Sequence, residues 1–61
     1  MPIITVRMFK GRSVDQKREF VEVVTRETTR ILQCGPEAVE IVFEDIEKHD
    51  WGIGGKLMAD K

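Results

Sequence analysis

Apolar residues dominate the first stretch of the chain, Pro2–Phe9, which reads PIITVRMF. Isoleucine, valine, threonine and phenylalanine favour the pleated surface of a sheet, so this stretch is predicted to be a β-strand. Both faces of that strand are largely apolar, which is typical of a strand covered on two sides. The alternating residues are Ile3, Thr5, Arg7 and Phe9 on one face and Ile4, Val6 and Met8 on the other. One helix covers one side only, so we expect a second subunit to cover the other.

A helical pattern follows a short break. Apolar side chains recur at helical spacing through Val14–Leu32, which predicts one long helix. Ser13 and Gln16 match a capping box at its start, in which each side chain bonds the backbone N–H of the other residue. Gly35 is the expected left-handed residue just after the helix, and Pro36 prevents its continuation.

A second strand is predicted at Val39–Ile46, where apolar residues alternate with acidic ones. A strand, a long helix and a strand form a βαβ unit with parallel strands and a right-handed crossover. The glycine-rich segment Trp51–Gly55 predicts a turn or short hairpin, and Lys56–Lys61 a partly frayed tail. The predicted fold class is α/β. It is a single βαβ unit with parallel strands plus a short C-terminal hairpin or turn, completed by oligomerisation, in one domain over residues 1–61.

The composition excludes several classes of protein. With 61 residues, one cysteine and one histidine, the chain can form neither an internal disulfide nor a four-ligand Cys/His zinc site. A formal charge of −1 argues against a nucleic-acid partner. No apolar run could span a membrane and no signal-peptide pattern is visible, so we expect no membrane partner and a cytoplasmic location. So short a chain, without disulfide or metal, is expected to gain stability by oligomerisation, although an autonomous small domain is the alternative.

Pro2 is the first candidate for chemistry, because it directly follows Met1. Removal of Met1 would give Pro2 a free secondary amine, which accepts a proton when neutral. To act as a base at neutral pH, this amine needs its pKa lowered, by burial or by a nearby cation such as Arg12. The alternative is that Pro2 only begins a strand, where proline is tolerated.

Several short motifs occur in an order that resembles the 4-oxalocrotonate tautomerase family. The motifs are Met1-Pro2-Ile3, Gly11-Arg12-Ser13, Gln16-Lys17, and Gly52-Ile53-Gly54-Gly55 after the aromatic Trp51, and the resemblance extends over nearly the whole length of the chain. Each motif is weak alone, but their order and spacing in a chain of this length make the resemblance strong.

The resemblance implies an isomerase that needs no metal or cofactor. Members use an amino-terminal proline as general base and acid to move a proton in an enol or dienol acid, which makes Pro2 the proton shuttle here. Arg12 matches the arginine that binds a substrate carboxylate, and Trp51 takes the place of an aromatic residue that lines the pocket. The resemblance also implies a homohexamer whose active sites are shared between subunits.

The length of the first strand also predicts a site shared between subunits, independently of the family resemblance. Seven steps at about 3.3 Å place Pro2 and Phe9 roughly 23 Å apart, and Arg12 lies beyond Phe9. An arginine side chain cannot bridge that distance. If Pro2 and Arg12 serve one site, they come from different subunits.

Glu40 departs from the family pattern. The best-known tautomerases carry a second arginine at this position, which engages the far end of a dicarboxylate. A carboxylate would repel that group, and Glu44 and Asp45 would add to the negative field if they face the site. A monocarboxylate such as phenylenolpyruvate is therefore favoured over 2-hydroxymuconate, and Trp51 would stack on its ring. The simpler interpretation of Glu40 is a solvated or interface residue.

The sequence is also compatible with functions other than tautomerisation. Glu40 also favours a non-catalytic oligomeric binding module on the same scaffold, or a hydratase- or dehalogenase-like activity in which a carboxylate near the amine activates water. A DNA-binding strand–helix dimer is disfavoured by the charge balance. We expect His49 to be a turn residue and Cys34 to be a small packing residue.

Overall fold

The computed structural model describes residues 1–61, and it contains the predicted βαβ unit. Its regular elements are β1 (Ile3–Phe9), α1 (Val14–Leu32), β2 (Glu40–Ile46), β3 (Gly52–Ile53) and β4 (Lys56–Leu57). Single turns of 3₁₀ helix follow α1, β2 and β4, at Pro36–Ala38, Lys48–Asp50 and Met58–Asp60. The α/β fold class and the parallel pairing of the two long strands are confirmed.

The two long strands lie side by side in a fixed register. Ile3 is opposite Glu40 at one end of the sheet, and Phe9 is opposite Ile46 at the other. The backbone N–H of Glu40 donates to the carbonyl oxygen of Pro2 at 3.0 Å, and Lys10 N–H donates to the Ile46 carbonyl at 3.0 Å. These two bonds extend the pairing beyond both ends of β1.

Helix α1 begins at the predicted capping box. Gln16 N–H donates to Ser13 Oγ at 3.1 Å, and Ser13 N–H donates to Gln16 Oε1 at 2.9 Å. The helix ends differently from the prediction, because Gln33 rather than Gly35 takes the left-handed conformation, with φ 55°. Gly35 has an extended backbone instead, since it precedes Pro36 at the start of a 3₁₀ turn.

The C-terminal hairpin is also present. Gly54 and Gly55 connect β3 and β4 with φ values of 60° and 85°, which favour glycine. The prediction of a frayed tail after Gly55 is wrong. Met58 N–H donates to the Trp51 carbonyl at 2.8 Å and a 3₁₀ turn follows, so the hydrogen bonding of the β3–β4 hairpin continues into this segment.

Helix α1 covers one face of the β1–β2 sheet and leaves the other uncovered. The uncovered face, here called the open face, carries Ile3, Thr5, Arg7, Glu40, Val42 and Glu44. Ile3 remains 60% exposed and Val42 49% exposed, and none of the 61 residues is buried in the isolated chain. The single chain therefore has no closed core. No helix of this fold has the length and apolar character needed to cross a membrane.

Candidate active site

Pro2 and Glu40 lie together at the end of the sheet where both long strands begin. Pro2 is half-buried, and its carbonyl is held by the Glu40 N–H bond. The Glu40 side chain is exposed on the open face and forms no ion pair within the chain. A free carboxylate thus stands one strand away from the proline predicted to be the base.

The other two acidic residues of β2 do not add to the charge at this end. Glu44 Oε2 accepts from Arg7 Nε at 3.0 Å, and Asp45 Oδ2 accepts from Lys17 Nζ at 2.5 Å. Glu44 also lies four residues further along the strand, or about 13 Å from Glu40. The expectation that both would strengthen the negative field is not met within one chain, because each is neutralised by its own partner.

Arg12 lies beyond the opposite end of β1, in the connection to α1. Gly11 before it has φ 134°, a conformation that favours glycine, and lets the chain turn from strand to helix. Arg12 forms no ion pair within the chain. Its side chain lines a groove of about 300 Å³ between helix and sheet. The other lining residues are Val6, Met8, Gln16, Lys17, Phe20 and Phe43. A free guanidinium beside apolar walls suits an organic carboxylate.

Trp51 lies at the same end of the sheet as Arg12. Its ring packs on Phe9, with the ring centroids 4.5 Å apart and a tilt of 48°. The Trp51 carbonyl accepts from Met58 N–H, so the C-terminal turn fixes the backbone that carries the ring. Phe9 is a residue that sequence reasoning missed as part of this wall. The available signal was its place at the end of β1, just before the Arg12 segment.

The candidate residues therefore form two groups in one chain. Pro2 and Glu40 occupy the start of the sheet, Arg12 and Trp51 occupy the other end, and β1 separates them by about 20 Å. His49 is exposed in a 3₁₀ turn near Asp50, and Cys34 is a half-buried free thiol after α1. No three His, Cys, Asp or Glu side chains come together as a metal site would need.

Comparison with known proteins identifies the family to which the chain belongs. The family model described as "Tautomerase enzyme" matches residues 2–61. The chain belongs to this tautomerase family. It is 41% identical over 61 residues, all of both chains, to a protein of Halalkalibacterium halodurans named as a probable tautomerase. It is 33% identical over 60 residues to the 2-hydroxymuconate tautomerase of Bacillus subtilis, covering 98% of this chain and 97% of that one.

Solved structures give the same assignment. A crystal structure of a 4-oxalocrotonate tautomerase homologue superposes with a TM-score of 0.92 at 31% identity, covering 100% of this chain and 97% of that one. The family resemblance and the fold class are thereby confirmed, and the chain is an isomerase of the tautomerase type. The substrate and the proton-transferring group are separate questions.

Proposed function

We propose that this tautomerase moves a proton within an enol or dienol 2-oxo acid, with the Pro2 nitrogen as the base and then the acid. While Met1 is attached, this nitrogen is a tertiary amide and has no useful basicity. Removal of Met1 makes it a secondary amine. The neutral amine takes the enol O–H proton of the substrate and returns a proton to the adjacent carbon, which leaves a 2-oxo acid and an unchanged enzyme. No cofactor takes part in this scheme.

The site is proposed to lie between subunits, with Pro2 from one and Arg12 and Trp51 from a neighbour. The observation that carries this is the separation of Pro2 from Arg12, which lies beyond Phe9 and so more than roughly 20 Å along the strand from Pro2. The absence of any buried residue supports it too, because a second copy is needed to cover the open face. Six copies, as the family resemblance implies, would give a homohexamer with shared sites.

Arg12 and Trp51 have separate roles in the proposal. The Arg12 guanidinium binds the substrate carboxylate by charge-assisted hydrogen bonds, which places the enol near Pro2 of the neighbouring subunit. The Trp51 ring, supported by Phe9, forms a wall that excludes water and stacks on an aromatic substrate. The apolar wall and the nearby guanidinium both favour the neutral form of the amine, whereas the Glu40 carboxylate favours its protonated form, so the first two effects must outweigh the third.

Glu40 governs the choice of substrate in this proposal. A free carboxylate beside Pro2 disfavours a substrate with a second carboxylate, so we propose a monocarboxylate such as phenylenolpyruvate. The relative named 2-hydroxymuconate tautomerase makes 2-hydroxymuconate the matched comparison substrate. The same position of Glu40 favours a second candidate, a hydratase- or dehalogenase-like reaction in which this carboxylate activates water. A non-catalytic binding module is the third.

The test compares untagged wild type with Pro2→Ala, both expressed with their own start codon. Mass spectrometry of denatured protein should find wild type without Met1, and native spectra should find the same oligomer for both. The rate of phenylenolpyruvate ketonisation should fall by at least about 100-fold in the variant, the usual contribution of general acid–base catalysis. A retained Met1 in active protein would rule out the Pro2 amine as the base, and equal rates would show that the proline ring is not needed, since processed Pro2→Ala still has an amino-terminal amine. Equal slow rates for wild type, Pro2→Ala and Arg12→Ala would favour the binding module.

A further inference from the structure

We propose that the ion pair between Lys17 and Asp45 positions Arg12 for carboxylate binding, and that Lys17 does not itself bind the substrate. The inference rests on the proposed function, because it concerns how the Arg12 half of the site is held. It assigns a role to two residues that lie beside the groove and outside the proposed proton transfer.

The Lys17–Asp45 pair is the least exposed ion pair of the chain. Lys17 Nζ lies 2.5 Å from Asp45 Oδ2, and the two side chains are 25% and 34% exposed. In the other Lys and Arg ion pairs every side chain is at least 46% exposed. Lys17 Nζ also lies 5.5 Å from the centre of the Phe43 ring, so the ammonium is held from two sides. This contact is partly shielded from solvent, so it restrains both side chains more than the more exposed pairs do.

This contact fixes the start of α1 against the end of β2. Lys17 N–H donates to the Ser13 carbonyl at 3.1 Å, and Ser13 directly follows Arg12. A shift of Lys17 would therefore move the first turn of the helix and carry Arg12 with it. The segment between β1 and α1 is therefore restrained at its helical end, because the Lys17 side chain reaches Asp45 of β2.

The end of the connection that follows β1 is also held to the end of β2. Lys10 N–H donates to the Ile46 carbonyl, and Ile46 is the neighbour of Asp45 in β2. The segment between these two attachments contains Gly11, which adds backbone freedom at φ 134°. The backbone bond of Lys10 holds the start of this segment to β2, and the ion pair holds its end to β2 through the first turn of α1. The position of the Arg12 guanidinium therefore depends on the ion pair.

The pair also sets the charge of the groove. Lys17 lines the groove together with Arg12, but Asp45 neutralises it, which leaves Arg12 as the one unpaired cation there. A substrate carboxylate therefore goes to Arg12. Positioning and direct binding by Lys17 can be told apart, because removing either partner breaks the same contact while changing the charge of the groove in opposite directions.

The experiment measures kcat and KM for phenylenolpyruvate in Lys17→Met and Asp45→Asn. Both variants should raise KM by about tenfold and leave kcat within about twofold, because misplacing a binding group by a fraction of an ångström weakens its contact. Lys17→Arg retains the ion pair and should keep the wild-type KM. Arg18→Met is the matched control on the same turn of α1, since it removes an exposed pair with Asp15 and neither of these residues lines the groove.

Two results would overturn the inference. A raised KM in Lys17→Met with a lowered KM in Asp45→Asn would make Lys17 a direct ligand of the substrate. An unchanged KM in both would remove any role for the pair. Native mass spectra identify a variant that fails to assemble. In that case the double variant Lys17→Met/Asp45→Leu, which replaces the pair by apolar side chains, is measured instead. Its KM should also rise by about tenfold, and a wild-type KM would overturn the inference.

A failure of the proposed function would look different. Wild type that does not turn over phenylenolpyruvate contradicts the proposed function directly, whatever the variants do. Binding of cinnamate, an unreactive aryl carboxylate, is then measured by calorimetry in the same set of variants. A tenfold weaker binding in both Lys17→Met and Asp45→Asn supports positioning of Arg12 without any reference to turnover, and unchanged binding in both overturns it.

Discussion

Replacing Val42 by Asp should prevent the chains from assembling. The isolated chain exposes 4879 Å², whereas a folded monomer of its mass exposes about 4,000 Å² by the usual scaling. The excess of roughly 800 Å² equals one partner's share of a standard protein–protein interface. Val42 is 49% exposed on the open face, next to Thr5 in the register, where we expect a second copy to bind.

The size of the effect follows from the cost of burying a charge. A carboxylate placed without a partner in an interface costs several kcal/mol, and about 3 kcal/mol already weakens association by more than about 100-fold. Because the chain has no buried core of its own, loss of assembly should also lower its resistance to unfolding.

The assay is sedimentation across a dilution series, with circular dichroism on the same samples. Val42→Thr is the control, since it keeps a β-branched side chain of similar size at the same position and adds no charge. Val42→Asp should dissociate at concentrations where Val42→Thr and the wild type remain assembled. A wild type that is a stably folded monomer, or a Val42→Asp variant with unchanged association, would refute the reasoning.

Three further predictions concern the site and the helix. Glu40→Arg should raise kcat/KM for 2-hydroxymuconate relative to phenylenolpyruvate by at least about tenfold, because it replaces a repulsive charge by an attractive one; an unchanged ratio would place Glu40 away from the substrate. Trp51→Ala should lower kcat/KM for phenylenolpyruvate by about tenfold, while Trp51→Phe keeps most of it; equal losses would argue against stacking. Ser13→Ala should cost about 1 kcal/mol of unfolding free energy at fixed protein concentration, measured with urea, because the capping box is lost; Ser13→Thr should retain most of the stability.

Local signals predicted most of the fold. Helix α1 has the predicted bounds because the capping box and the spacing of apolar residues are both local signals, which depend on residues close together in the sequence. Each long strand begins one residue later than predicted, at Ile3 and at Glu40. The helix end was placed at the wrong left-handed residue because glycine is only a preference. Gln33 takes that conformation, while Gly35 is committed to the turn before Pro36.

Two contacts were not predicted from the sequence. The Met58–Trp51 hydrogen bond extends the β3–β4 pairing by one step, beyond the glycine turn that the sequence does indicate. The Lys17–Asp45 pair joins residues 28 positions apart, and no local pattern predicts it. The separation of Pro2 from Arg12, by contrast, follows from strand geometry alone, and it is the reason that a site shared between subunits is predicted.

The most direct test of a site shared between subunits mixes two inactive variants. Pro2→Ala and Arg12→Ala are unfolded together in equal amounts, refolded, and assayed with phenylenolpyruvate at matched oligomer concentration. If Pro2 of one subunit works with Arg12 of a neighbour, random assembly leaves about one quarter of the sites with both residues intact, so about a quarter of the wild-type activity should return. Activity no greater than that of the two variants refolded separately would contradict the shared site.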